Sequence, residues 1–383
     1  MTLSHAFCGA RIFDGQRFHD NAHLVVRDGR IIAIRDGSPP AGIRRIELDG
    51  GILSPGFIDV QVNGGGGVML NDAPSPIAMA RIAAAHRAFG TTALLPTLIT
   101  DSADVTAKAL AAAGQAAGQP GIIGLHLEGP HLDPARKGAH LEKFMRPLDG
   151  ADVAAYIAAA PKVGRLLVTL AANQATVSQV RQLADAGVIV SIGHSDCSAD
   201  EADAFFDAGA RGATHLFNAM SGLSHREPGL VGAVLARSDA WAGIIADGQH
   251  IDPRAIAIAL AAKSGPGRIF LVTDAMALVG SDADRFDLNG RTITRDASGY
   301  CPRLLLPDGT LAGSDIDMAS SVRFLVEKVR IPPEDALRRA TADPADFLRL
   351  GNERGRLAAG ARADLVHLGD DLTVRRTWLG EEL

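Results

Sequence analysis

Residues 188–218 read VIVSIGHSDCSADEADAFFDAGARGATHLFN, and this stretch holds one full structural period. Residues 188–193 form a short, β-branched apolar run of strand length. Ser198 and Glu201 then stand three apart as a capping box. The serine hydroxyl accepts from the N3 amide and the glutamate reaches back to the cap, so a helix is predicted to start here. Residues 213–216 open the next apolar core. Strand, helix and strand in about 31 residues is the length of a βα unit, and repeated alternation of this kind builds a parallel sheet.

The same texture extends in both directions. Apolar strand cores fall at 57–62, 92–96, 122–128, 166–171, 188–193, 213–216, 241–246 and 269–274. Asp59 and Asp274, near the ends of the first and the eighth, stand seven intervals apart, again about 31 residues each. Between them lie helical stretches such as 77–89, and 176–186 ending at Gly187. The expected fold class is α/β, a (β/α)8 TIM-like barrel. The first 53 residues differ: short alternating segments at 10–13, 22–26, 30–35 and 44–48 are broken by Asp-Gly and Gly-rich turns, which is hairpin chemistry. Residues 284–312 also suit hairpins turning at Asn289-Gly290 and Asp308-Gly309. Helices are expected at about 315–328 and 333–349, and strand at 363–368. Because both ends are strand-rich, the expected organisation is a small β-sandwich domain from residues 1–53 and 355–383, beside a barrel of residues 54–354.

Composition narrows the function. Lys plus Arg is 38 against 44 Asp plus Glu, a net charge of −6, which argues against a dedicated nucleic-acid surface. No apolar run approaches the roughly 18 residues of a membrane span. The start, MTLSHAFCGARIFDG, lacks a basic segment followed by an apolar core, so cytoplasm is the expected location. Cys8, Cys197 and Cys301 are far apart and form no CxxC pair, which suits a reducing compartment. No GxxxxGK[ST] loop points to a nucleoside triphosphate.

Barrel active sites sit at the C-terminal ends of the strands. Those positions hold Glu128, His194, His215, the segment 247–250 and Asp274. Any one histidine among twelve is ordinarily packed or solvated. Two histidines, a glutamate and an aspartate on one face of one barrel are a site. Two imidazoles and a carboxylate suit a zinc-like ion with a position left open. Such an ion brings the pKa of a bound water from 15.7 to around 7, and Asp274 could take that water's proton and return it to the leaving group. Metal-assisted hydrolysis is the expected reaction class. His126 shares the strand face of Glu128, two residues on, and reads as packing behind it. His5, His19, His23, His86, His225 and His367 read mostly as packed or solvated.

The stretches LSPGFIDVQVNGGGG (53–67), GLHLEGPHLDPARKGAH (124–140), SIGHSDCSADEA (191–202), GATHLFNAMSGLSHREPGLVGA (212–233), IIADGQHIDP (244–253) and LVTDAMALVG (271–280) resemble the N-acetylglucosamine-6-phosphate deacetylases of the amidohydrolase superfamily. The likeness runs in order over essentially the whole chain, through ADLV at 363–366. It implies hydrolysis of the acetamide of N-acetyl-D-glucosamine 6-phosphate in amino-sugar catabolism. By position it implies Glu128, His194 and His215 as metal ligands and Asp274 as base and then acid. It implies His140 near the amide or the sugar hydroxyls, and Asn218, the backbone amide of Ala219, Arg226 and His250 around phosphate and sugar. It further implies a homodimer in which Arg226 reaches the neighbouring subunit's site. Many relatives in the superfamily carry His-x-His at the end of strand one, where this chain has Gln61-Val62-Asn63. Neutral amides are poor ligands, so one divalent ion per subunit is expected, zinc first, with iron(II) or another ion open. A deacetylase of N-acetylgalactosamine 6-phosphate or another acylated amine, and a non-catalytic scaffold on the same fold, are the alternatives. The role of Gly64–Gly67 is open.

Overall fold

The computed structural model describes residues 4–383. Residues 1–3, which the reading of the chain start and the first hairpin region include, lie outside the described residues. Eight parallel strands pair in chain order: Phe57–Val62, Thr91–Ile99, Gly124–Glu128, Arg165–Leu170, Ile189–Ile192, Gly212–Ala213, Trp241–Ile244 and Ile269–Leu271. The eighth returns to the first through a parallel bridge between Val62 and Ala275, and the Asp274 amide donates to the Gln61 carbonyl at 2.9 Å. This is the expected (β/α)8 barrel. The strands read as unbroken apolar runs because helices cover them outside and side chains fill them inside. The capping box forms as expected: the Glu201 amide donates to Ser198 Oγ at 3.2 Å and the Ser198 amide to Glu201 Oε2 at 2.8 Å, opening helix Ala199–Asp207.

The N-terminal end of the barrel is plugged by Ile58, Val60, Leu167, Trp241 and Phe270, against which Phe347 packs from the last helix, Ala342–Phe347. The Phe270 and Phe347 rings are 4.8 Å apart. The C-terminal end stays polar and carries the site.

Strand six is shorter than the apolar run 213–216, because the chain leaves the sheet after Ala213 and His215 and Phe217 turn into positive φ. The predicted helix 315–328 is Met318–Phe324 continued by a wider turn, Leu325–Val329. The predicted helix 333–349 is two helices, Pro333–Ala340 and Ala342–Phe347, divided at Thr341, whose ψ of −81° is not helical. The two expected hairpins form one four-stranded sheet of Arg285–Leu288, Arg291–Asp296, Arg303–Leu305 and Leu311–Ser314.

The chain ends meet in a β-sandwich. One sheet orders Arg30–Asp36, Ala22–Arg27, Ser4–Cys8 and Arg44–Glu47; the other orders Val374–Trp378, Leu365–Leu368, Ile52–Pro55, Arg11–Phe13 and Phe18–His19. Leu365–Leu368 pairs antiparallel with Ile52–Pro55, joining the two termini. Phe7, Leu24 and Val26 face Leu53, Leu365 and Trp378 between the sheets. Gly51 permits this join: its φ is +70° and a Cβ would lie 2.0 Å from the Leu368 carbonyl oxygen. Gly51→Ala is therefore expected to cost about 1–3 kcal/mol through backbone strain and displacement of that strand. Thermal unfolding should show a melting temperature several degrees lower, and an unchanged midpoint would contradict the close approach.

Candidate active site

Glu128 is the last residue of strand three, so its side chain emerges at the polar mouth. His194 and His215 follow strands five and six by two residues, and Asp274 follows strand eight by three. These three residues have φ of +47°, +34° and +54°. Left-handed backbone is uncommon for non-glycine residues and is kept where surrounding structure enforces it, often at functional sites. Turning out of the sheet in this way swings each side chain inward over the barrel axis.

Glu128 Oε1 lies 2.9 Å from His215 Nε2 and 3.3 Å from His194 Nε2, and the two nitrogens are 3.1 Å apart. His194 Nδ1 faces the Arg136 carbonyl oxygen at 2.8 Å. A carbonyl only accepts, so Nδ1 carries a proton and Nε2 is the nitrogen turned toward Glu128 and the cluster. Two ring nitrogens and a carboxylate oxygen converging on one point is the donor set of a divalent cation, with a carbonyl behind one imidazole fixing its orientation. These ligand atoms all lie within 4.8 Å of one another. Burial opposes the charge on Glu128, but its bonds with His194 and His215 outweigh that and hold its carboxyl well below the usual range.

Asp274 stands beside this cluster. Its Oδ1 accepts from Asn63 Nδ2 at 2.7 Å and from Gln61 Nε2 at 3.1 Å, and Gln61 Nε2 also donates to Glu128 Oε1 at 2.9 Å. The Gln61-Val62-Asn63 segment thus points amide donors where His-x-His would point lone pairs. Burial and then the charge of Glu128 push the Asp274 carboxyl up to about 6, which suits proton exchange near neutrality.

His140 closes another side. Its Nδ1 faces Thr100 Oγ1 at 2.8 Å and accepts from the Thr100 amide at 3.3 Å, and its Nε2 is 3.7 Å from Glu128 Oε2. Burial and the neighbouring His194 push it down to about 3, so the ring is neutral. His250 Nδ1 bonds Asp247 Oδ2 at 2.6 Å. Burial works against its charge, but the Asp247 carboxylate outweighs this and raises the imidazole above its ordinary range.

One cavity of about 220 Å³ is lined by Glu128, His140, His194, His215, Asn218, Ala219, His250 and Asp274. Eight of the nine residues singled out in the sequence therefore meet in one place. Arg226 does not line it; it is exposed on the loop that Ser224 and Glu227 pin together. His126 is packed behind the site, between the Val60 carbonyl at 3.0 Å and Thr169 Oγ1 at 2.8 Å. His5, His23, His86 and His367 are buried and His225 is exposed. The sequence reading passed over Leu311 and Gly313, which wall the cavity from the inserted sheet, and His131, which is buried between the Arg146 carbonyl and Tyr156 Oη. His131 stands in the segment 124–140 and was readable as a buried polar anchor. Nothing in the local pattern around Leu311 signals the cavity.

Among the described residues no helix is long and apolar enough to cross a membrane. The amidohydrolase family model matches residues 52–380. An N-acetylgalactosamine-6-phosphate deacetylase of Shewanella sp. is 38% identical, with 98% of this chain and 94% of that protein covered. The human N-acetylglucosamine-6-phosphate deacetylase is 36% identical over the same shares, 98% and 94%. The crystal structure of N-acetylglucosamine-6-phosphate deacetylase from Pasteurella multocida superposes with a TM-score of 0.93 at 33% identity, covering 99% of each chain. The deacetylase of Mycobacterium smegmatis, solved as a mutant in complex with N-acetyl-D-glucosamine 6-phosphate, gives 0.90 at 32% identity over 99% of this chain and 98% of that one. With sequence, fold and polar mouth in agreement over its whole length, the chain belongs to the amidohydrolase family of hydrolases, among its N-acetylglucosamine- and N-acetylgalactosamine-6-phosphate deacetylases.

Proposed function

We propose that this cavity hydrolyses the acetamide of N-acetyl-D-glucosamine 6-phosphate to D-glucosamine 6-phosphate and acetate, in amino-sugar catabolism in the cytoplasm. The observation that carries the reading is the meeting of Glu128, His194 and His215 with Asp274 at one barrel mouth. Glu128, His194 and His215 would hold one divalent ion, zinc first and iron(II) next by the chemistry of the donor set. When bound, that ion supplies Lewis acidity for the amide carbonyl and lowers the pKa of water. Gln61 and Asn63 present amides, which are poor ligands for a second ion beside imidazole. Asp274 would take the proton of the attacking water and pass it to the amide nitrogen, which is a poor leaving group until protonated. His140, neutral with Nδ1 accepting from Thr100, presents its Nε2–H to the substrate's amide or sugar oxygens. Within the chain, residues 54–354 would form the catalytic barrel, and 1–53 with 355–383 the β-domain.

Asn218, the amide of Ala219 and His250 would face the sugar and its phosphate, with Arg226 supplied across a homodimer interface. The exposure of Arg226 and of Leu223 on the same loop supports that placement. Acetate release from N-acetylglucosamine 6-phosphate by metal-reconstituted protein tests the activity, and the unphosphorylated sugar tests the anion site. Equal rates on both sugars would remove the phosphate contacts from the proposal. The galacto epimer is the second reading, favoured by the Shewanella relative, and the same assay on both epimers decides it.

Two further outcomes are expected. Arg226→Ala should raise KM for the phosphosugar about tenfold or more, as loss of a charge-assisted contact does. Mixing Arg226→Ala subunits with Asp274→Asn subunits should recover activity, since a hybrid dimer contains one site with both groups; no recovery would keep Arg226 within its own subunit. The charge on His250 is fully present below its ordinary pKa and is lost as pH rises through the raised value. KM for the phosphosugar should therefore climb on the alkaline side, and His250→Gln should abolish that climb.

A further inference from the structure

The barrel is held least regularly where strand eight meets strand one, and there a carboxylate with no mechanistic assignment is buried. Asp59 is fully buried in strand one. Its Oδ2 accepts from the Thr273 hydroxyl at 2.5 Å, and its Oδ1 accepts from the amides of Gln61 at 3.2 Å and Thr273 at 3.3 Å. No lysine or arginine pairs with it among the described residues. Enclosing a carboxylate in this way is costly, and an apolar side chain would fill the space more cheaply. What the carboxylate gains is a grip on Thr273, the residue preceding Asp274.

That grip falls where the sheet supplies little. Strand eight ends as regular strand at Leu271, so Asp274 lies three residues beyond it at φ +54°. Around it, the Ser314 hydroxyl donates to the Thr273 carbonyl, and the Asn63 amide to the Asp274 carbonyl at 3.3 Å. Further out the glycine run continues the same seam. The amides of Gly64, Gly66 and Gly67 donate to the carbonyls of Ala275, Val279 and Ala277 at 2.9, 2.7 and 2.8 Å. A Cβ on Gly64 would meet the Val68 oxygen at 2.5 Å and the Ala277 amide at 2.9 Å. Gly64 is glycine because two backbones lie against each other there, Gly65 because a Cβ would lie 2.9 Å from the His86 ring, and Gly66 and Gly67 have φ of +61° and +83°.

We infer that Asp59 is a positioning residue: acting through the Thr273 hydroxyl and amide, it fixes the strand-eight seam so that the Asp274 carboxylate is held in place over the Glu128–His194–His215 cluster. The inference rests on the reading of Asp274 as the base. In the proposed reading the sugar and its phosphate are held by Asn218, Ala219, Arg226 and His250, so loosening the seam is expected to affect turnover rather than binding.

The test uses the full chain reconstituted with zinc. Thr273→Val removes the hydroxyl. It should lower kcat about tenfold or more, the order expected when a buried polar group loses its hydrogen-bond partner, with KM changed by less than about twofold and zinc content equal to wild type. Thr273→Ser should return kcat to near the wild-type value. In the metal-free protein, amides of residues 273–276 should exchange hydrogen faster in Thr273→Val than in wild type. Asp59→Asn, nearly the same shape, is the second variant and should show the same kcat-selective loss. Wild-type kcat in either folded variant, a loss confined to KM, or no recovery with serine would overturn the inference. Asp274→Asn assayed alongside separates the two claims. If it stays active, the reading of Asp274 as base fails. If it is inactive while Thr273→Val is unaffected, only the role of Asp59 fails.

Discussion

Asp274→Asn is expected to lower kcat for acetate release by about a thousandfold, some 4 kcal/mol of transition-state stabilisation, while the bound metal stays at the wild-type level. The substitution keeps the shape of the side chain and leaves an oxygen to accept from the Asn63 amide, whose nitrogen is 2.7 Å from Asp274 Oδ1. It removes only the capacity to take and return a proton. An amide cannot serve as base near pH 7, whereas the carboxyl, pushed up to about 6 by burial and by Glu128, can work in both directions. The ligand cluster is untouched, since its atoms belong to Glu128, His194 and His215. Elemental analysis beside initial rates checks both halves. Wild-type turnover in the variant would remove Asp274 from the chemistry. Lost turnover with lost metal would make it a ligand instead.

The parts of this molecule that could be read from residues alone are those whose physics is local or periodic. Parallel strands buried on both faces are continuous apolar runs, so seven barrel strands lie close to their apolar stretches. Strand six, Gly212–Ala213, is shorter because His215 and Phe217 adopt left-handed backbone that no propensity of those residue types announces. Ser4–Cys8 escaped notice for the opposite reason: it is buried on both faces and shows no alternation. Two other strands of its sheet, Ala22–Arg27 and Arg30–Asp36, are marked by the Asp28-Gly29 turn between them. The polar mouth was legible because a barrel directs chemistry to strand ends, and this picks out Glu128, His194, His215 and Asp274 without knowledge of distances. Leu311 and Gly313 reach the cavity from an inserted sheet, and Asp59 bonds Thr273, which is remote in sequence and adjacent across the seam. Contacts of that kind are set by closure of the barrel, and no window of sequence contains both partners.

Glu128→Gln should remove both metal and activity, and this pair of losses distinguishes a ligand from a base. Two neutral imidazoles and an amide hold a divalent ion far more weakly than two imidazoles and a carboxylate, because the carboxylate supplies the only negative charge in the set. Loss of affinity should exceed the roughly 100-fold that follows from disturbing groups behind a ligand, so dialysed protein should retain no stoichiometric zinc, and kcat should fall at least as far as in Asp274→Asn. The fold should persist. Glutamine has nearly the same volume, the strand ladder through Glu128 uses its backbone, and the barrel core lies elsewhere. Circular dichroism should therefore match that of wild-type protein stripped with a chelator. Such stripped wild-type protein should regain its rate with added zinc, because His194 is already held in the right orientation by the Arg136 carbonyl. The glutamine variant should not regain it at the same zinc concentration. A variant that keeps full metal and full rate would show that Glu128 is a structural carboxylate, and the hydrolytic reading of this cavity would fall with it.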